Sequence, residues 1–137
     1  MDEQKIQYAM ESMKCCPVEN TFRIVGKKFT LLILRNMLFS NQTRFNQFLA
    51  IEGINPKTLS IRLKEMEKEG LIQRKVYHET PVRVEYSLTE KAKALQPILE
   101  QMAAFSMQCC SKDVFKDGKP RTFQEIFGRA PKKYSSS

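Results

Sequence analysis

The sequence predicts a mainly α-helical chain with a single β-hairpin, and three stretches carry that expectation. Residues 55–70 read as one strongly signalled helix, residues 71–88 as two short strands, and residues 89–110 as a long helix with a heptad seam. Short helix, turn, helix, hairpin and long helix is the order of a winged helix-turn-helix, with N- and C-terminal helices available for dimerisation.

Taken in order, Asp2 to about Lys14 has helical character through Ile6, Tyr8, Ala9, Met10 and Met13, without a strong terminator. Pro17 restarts the chain, as proline does in the first turn of a new helix. That helix carries Val18, Phe22 and Val25, and Gly26 ends it. Thr30 to Phe39 is apolar enough to be a core helix. After the polar break Asn41 to Thr43, Thr43 is the expected cap of a short helix that presents Phe45, Phe48 and Leu49 to the core and closes at Gly53.

The next helix is the most informative. Asn55 is a good N-cap, Pro56 takes the first helical position, and Gly70 stops the run. Leu59, Leu63 and Met66 recur at i, i+4 and i+7, which makes one apolar stripe. The other side carries Lys57, Ile61, Lys64 and Lys68, flanked by Thr58 and Ser60. A recognition helix entering the major groove would show that basic, hydroxylated face, with its N-terminal residues at the bases. A solvated amphipathic helix would show it too. Glu65, Glu67 and Glu69 fall on the same segment and read as a solvated face.

Leu71 to Tyr77 and Val82 to Leu88 alternate and are rich in β-branched and aromatic residues, so they read as strands joined by the connection HETP. Arg74, Lys75, His78 and Arg83 lie at or near the exposed positions of this wing, suited to phosphate or minor-groove contact. Lys28 and Arg44 complete the candidate DNA contacts. Beyond the hairpin, Thr89 caps an expected helix through about Cys110, on which Leu95, Ile98, Met102, Phe105 and Cys109 follow a heptad spacing. A helix packed on its own domain could show that stripe; in a dimer it would be the seam that sets two recognition helices on two half-sites. Pro97 lies inside the pattern and either kinks the helix or marks its true start. The tail from Ser111 is basic and turn-rich, with a short helix at Thr122 to Phe127, and the closing SSS reads as disordered.

Composition narrows the function classes. The 137 residues fit one domain, and 23 Lys+Arg against 15 Asp+Glu leave a formal charge of +8, which attracts polyanions. The longest apolar stretch, Leu31 to Phe39, is interrupted by Arg35 and Asn36 and falls short of the roughly 20 residues a membrane span needs. MDEQKIQYAMESMK contains no apolar signal core, so a cytoplasmic protein without membrane contact is expected. The four cysteines sit as adjacent pairs, Cys15-Cys16 and Cys109-Cys110, and His78 is the sole histidine, so neither a zinc site nor a disulfide framework is expected. No GxSxG, HExxH or glycine-rich phosphate loop occurs, so an enzyme is not expected and no cofactor is assigned.

Four stretches resemble one family. CPVENTFRIVGKKFTLLILRNML, RFNQF, GINPKTLSIRLKEMEKEGLIQRKVY and PVRVEYSLTEKAKALQPIL are similar to the HxlR-type winged-helix regulators, relatives of the MarR-like group. The resemblance runs from Cys16 to about Phe105 in one order. Phe29 and Phe105 stand where tryptophan is more usual in that family. It implies a bacterial or archaeal source and a homodimer, held by its terminal helices, that binds pseudo-palindromic double-stranded promoter DNA. Cys16 matches the cysteine that begins the family's CPV motif, which in several members senses oxidants or electrophiles. A thiolate at a helix N-terminus is favoured by the free N–H groups there. A small buried hydrophobic cysteine is the plainer alternative.

The expectation is therefore one winged-helix domain over 1–137: an N-terminal extension at 1–14, the core at 16–88, a dimerisation helix at 89–110 and a basic tail at 111–137. Its expected function is sequence-specific transcriptional regulation, with a protein-binding winged-helix module as the alternative.

Overall fold

The computed structural model describes residues 2–134. The chain runs α1 (Glu3–Glu11), α2 (Pro17–Val25), α3 (Thr30–Ser40), α4 (Phe45–Phe48), α5 (Pro56–Lys68), β1 (Ile72–Tyr77), β2 (Arg83–Leu88), α6 (Glu90–Lys93), α7 (Gln96–Cys109), α8 (Ser111–Val114) and α9 (Phe123–Phe127). It is mainly helical with one antiparallel hairpin, as the periodicity predicts, and it has the winged-helix order.

The core forms where three apolar stripes meet. Helix α3 buries Ile33, Leu34 and Met37, α5 buries Leu59, Leu63 and Met66, and Phe48 from α4 lies between them. Leu71, Ile72 and Tyr86 close the cluster from the hairpin, with the Phe48 and Tyr86 rings edge-on at 6.4 Å. Removing one of these fully buried side chains, as in Leu59→Ala or Leu63→Ala, should cost about 2–5 kcal/mol.

The exit from α5 shows why the hairpin follows directly. Gly70 adopts φ +77°, a conformation that costs a residue with a Cβ and costs glycine little. The Leu71 N–H then bonds the Met66 carbonyl at 2.9 Å and the Gly70 N–H bonds the Glu67 carbonyl at 3.0 Å. This is a Schellman closure, and its accompanying apolar contact is the buried pair Met66 and Leu71. Thr89 pins the far end of the hairpin to the same turn: its N–H donates to the Leu71 carbonyl at 3.1 Å and its hydroxyl to the Gly70 carbonyl at 2.6 Å. The hairpin pairs Ile72 with Leu88 through Tyr77 with Arg83, so its base is core and its tip is solvent.

Several expectations need correction. Thr43 does not cap α4; Arg44 holds that position, and Gln47 Oε1 accepts from the N–H groups of Thr43 and Arg44 at 2.9 and 3.0 Å. Thr43 is committed to the wing, because its carbonyl accepts the Tyr86 N–H at 2.8 Å. The helix capped by Thr89 is not continuous to Cys110: α6 stops at Lys93, and α7 begins at Gln96 with Pro97 in its first turn. A continuous helix would set the Pro97 ring against the Lys93 carbonyl and leave that acceptor without its N–H. Glu67 is exposed as expected, but Glu65 and Glu69 are only half-exposed and tie the end of α5 to α2 and the turn after it. Lys27 meets Glu65 at 3.0 Å, and Arg23 meets Glu69 at 2.7 Å. The SSS segment lies outside the described residues. Among those described, no helix is long and apolar enough to cross a membrane, and no group of three His, Cys, Asp or Glu residues is placed to hold a metal.

Candidate nucleic-acid interface

Helix α5 starts as the sequence requires. The Asn55 side chain accepts the Thr58 N–H at 2.8 Å and Pro56 occupies the first turn, so the helix has a defined N-terminus exposed to solvent. Because Leu59, Leu63 and Met66 face the core, Lys57, Ile61 and Lys64 are turned outward and exposed. Thr58 and Ser60 are half-buried at its edges. Asn55 is exposed, but its side-chain oxygen is already engaged in the cap.

The wing presents Arg74 and Lys75 in the open on β1 and His78 beyond its end. Arg83, opposite Tyr77 on β2, is held differently. Its guanidinium lies 4.0 Å from the centre of the Tyr77 ring and contacts Glu79 at 3.1 Å and Glu85 at 3.2 Å. Glu85 also meets Arg44 at 3.7 Å. Arg44 and Arg83 therefore share one carboxylate at the side of the wing, and part of their charge is neutralised inside the molecule. Lys28 is exposed beside its neighbour's ring, 5.1 Å from the centre of Phe29, while its carbonyl accepts from Arg62 at 2.8 Å.

Around α5 and the wing, ion pairs engage two groups of cations. Arg23, Lys27 and Arg62 contact the carboxylates of α5, and Arg44 and Arg83 contact those of the wing. Lys27 holds the Glu65 carboxyl below its ordinary range, and Arg23 does the same to Glu69. Among the described residues, Lys28, Lys57, Lys64, Arg74 and Lys75 have no acidic partner. Unpaired cations therefore stand on the outward side of α5, just before α3 and on the wing, as others do elsewhere on the surface. Two acids at the end of α5, Glu65 and Glu69, are engaged by Lys27 and Arg23 instead.

A second surface is apolar. Val18 and Phe22 of α2 are 77% and 71% exposed, and Ile98, Met102 and Phe105 of α7 are 40%, 49% and 61% exposed. Pro17, Val18, Phe22, Ile98 and Met102 line one groove between the two helices. Helix α1 buries no residue, and Ile6, Met10 and Met13 stand in solvent on it and just beyond its end. Leu95, expected on this seam, instead packs half-buried against the main core, because the break before α7 turns it inward. Cys109 is exposed at the end of α7, and Cys16 is the exposed N-cap of α2 with no side-chain cap bond. Cys15 is exposed, Cys110 is half-buried, and all four thiols are free.

Three functional-looking groups escaped the sequence reading: Tyr77, the cross-links from Arg23 and Lys27, and Glu100. Glu100 is 1% exposed on α7 and is held by Arg129 at 2.6 and 3.0 Å, by the Lys132 N–H at 2.9 Å and by Gln96 at 2.8 Å. These donors, Arg129 above all, lower its pKa to about 2. A signal existed: Glu100, Ala103 and Met107 form a second stripe on α7, and acids are so seldom buried that it reads as surface.

The model of the HxlR-like helix-turn-helix family matches residues 24–114. The HTH-type transcriptional regulator YybR of Bacillus subtilis is 39% identical over 103 residues, covering 74% of this chain and 80% of its own. YodB of the same organism, also an HTH-type transcriptional regulator, is 38% identical over 102 residues, 74% of this chain and 90% of its own. The redox regulator HypR in its oxidised form superposes with a TM-score of 0.61 at 39% identity, covering 66% of this chain and 94% of that one. From α2 to α8, then, sequence and fold agree: the chain belongs to the HxlR-like helix-turn-helix family of transcriptional regulators.

Proposed function

We propose that this regulator binds pseudo-palindromic promoter DNA as a homodimer, reading bases with α5 and phosphates with the wing. The observation that carries the reading is the unpaired charge of Lys57, Lys64, Arg74 and Lys75 around a helix whose other face is locked into the core. Thr58, Ser60 and Ile61 at the start of α5 are the base-reading candidates, and Lys28, Arg44, His78 and Arg83 flank them. The exposed apolar side chains of α1, α2 and α7 support the homodimer. A nine-residue helix with no buried side chain has little stability alone and needs a partner surface. The test is a gel-shift titration on the promoter fragment recovered by genomic footprinting. A sequence-specific complex of two chains per site is expected, and binding that ignores sequence would refute the reading.

Cys16 supplies the regulation in this reading. Its thiol is exposed at the start of α2, beside the groove where α7 offers Met102 and Cys109 lies at that helix's end. Support also comes from related structures that are described by redox state: HypR in oxidised and reduced forms, and YodB reduced and diamide-treated. A disulfide between Cys16 and a cysteine of the second copy would change the angle between subunits and with it the spacing of the recognition helices. Operator affinity before and after diamide, with non-reducing gels, checks this. Wild type should change and Cys16→Ser should not; an unchanged wild type would remove Cys16 from the mechanism.

A further inference from the structure

The chain beyond Val114 lies outside the residues that the family model matches, yet it packs back onto the domain. It is fastened by the buried Glu100 carboxylate, which accepts from Arg129, Gln96 and the Lys132 N–H. This fastening sets α9 beside α3 and α7, and the three helices border a cavity of about 610 Å³ that opens to solvent. Leu31 and Leu32 from α3, Leu99 and Ala103 from α7 and the Phe123 and Phe127 rings of α9, 4.5 Å apart, line it. A small-molecule site typically has a volume of ~300–1,000 Å³, mostly apolar walls and a few placed polar groups.

The polar groups here decide the class of ligand. Glu100 and Arg129 neutralise each other, so neither offers net charge to an occupant. Arg35 also lines the cavity, and it is exposed and pairs with no carboxylate among the described residues. Its Nε donates to Asn36 at 3.0 Å, which leaves the two terminal nitrogens of the guanidinium without a carboxylate partner among the described residues. An open apolar cleft with one guanidinium not committed to a carboxylate matches an anion with an apolar body. We propose that this cavity binds a small organic acid, its carboxylate on Arg35 and its hydrophobic body between α3, α7 and α9. Met102 lies both in this cavity and on the exposed face of α7, so an occupant would touch the surface assigned above to the homodimer. The binding site itself does not depend on the DNA reading.

Calorimetric titration with 1-naphthoate and with its neutral analogue 1-naphthalenemethanol tests the site without DNA. Wild type should bind the acid more tightly than the alcohol. Arg35→Gln should weaken the acid by roughly tenfold to a hundredfold, the size expected for a charge-assisted hydrogen bond, and leave the alcohol unchanged. Leu32→Trp, at a position open enough to accept a larger ring, should weaken both probes while the melting temperature is retained; Phe127→Ala, which removes one wall, is the second check should Leu32→Trp misfold. No binding of naphthoate at millimolar concentration overturns the proposal, as does an acid preference that survives Arg35→Gln. Binding to a monomeric Phe105→Glu variant but not to wild type also overturns it, and assigns the cavity to a second copy of the chain.

Discussion

On the outward side of α5 and β1, Lys57, Lys64, Arg74 and Lys75 stand in solvent without acidic partners among the described residues, while on α2 and α7 Val18, Phe22, Met102 and Phe105 stand in solvent without a covering layer among them. Each helix has a finished inner face and an unfinished outer one. For α5 the inner face is the apolar stripe at Leu59, Leu63 and Met66; for α7 it includes a satisfied carboxylate, Glu100. What is missing outside differs in kind. Unpaired cations are completed by phosphates at a salt-dependent cost, whereas exposed apolar rings are completed by another protein surface and are nearly indifferent to salt. Perturbing one face should therefore change the salt response of binding, and perturbing the other should change assembly.

The largest effect belongs to the apolar face. In Met102→Glu a carboxylate enters the groove shared by α2 and α7, whose lining carries no cation. Leaving a desolvated charge unpaired costs about 3–5 kcal/mol, roughly a hundredfold or more in association. The variant should elute as a monomer by light scattering and lose operator affinity out of proportion to any change on α5. A dimer that survives the substitution would mean that α1 and α2 alone carry the contact.

Next comes the charged face. Lys57→Ala with Lys64→Ala should leave the dimer intact and weaken operator binding. The slope of log affinity against log salt should fall by about two, one for each phosphate that these lysines no longer neutralise. An unchanged slope would show that α5 does not face the nucleic acid.

The inner faces were legible to different degrees, for a physical reason. The α5 stripe, its Asn55 cap, its Pro56 start and its Gly70 stop are local signals, and each appears in the structure where the residue types place it. The break between α6 and α7 was half legible, since Pro97 marked it while the heptad spacing concealed it. Ion pairs such as Arg23 with Glu69 join residues 46 apart in the chain, and the Glu100 with Arg129 pair joins residues 29 apart. No periodicity encodes such contacts. For the same reason the candidate DNA contacts could be named on α5 and β1, but not which of them were already neutralised.

Glu100 offers a third, smaller perturbation, one of stability. Its pKa is lowered from 4.5 to about 2 in the folded chain, so the carboxylate stabilises the fold above the unfolded value. That contribution is lost as pH falls from about 4.5 toward about 2. At neutral pH it amounts to on the order of 3 kcal/mol. Glu100→Gln, which mimics the protonated acid, should therefore melt lower than wild type at pH near 7, and the two melting curves should converge as the solution is acidified through that window. Melting temperatures that differ equally at all pH values would mean that the Arg129 contact stabilises through packing rather than charge.

The smallest effect separates two arginines on the same wing. Arg74 is exposed opposite Tyr86 and has no acidic partner among the described residues, whereas Arg83 lies over the Tyr77 ring and contacts both Glu79 and Glu85. Half-exposed ion pairs of this kind contribute only about 0–1 kcal/mol to stability, so neither substitution should unfold the wing. Their effect on DNA differs because a guanidinium shared with two carboxylates releases fewer counterions when it meets a phosphate. Arg74→Gln should lower the salt slope by about one, and Arg83→Gln by clearly less. Measured side by side on one operator across a salt series, equal slopes for the two variants would show that Arg83 leaves Glu79 and Glu85 when DNA arrives. In that case Arg83→Gln should also leave Glu79 without its arginine and free to repel the backbone, and the additional substitution Glu79→Gln should recover part of the affinity.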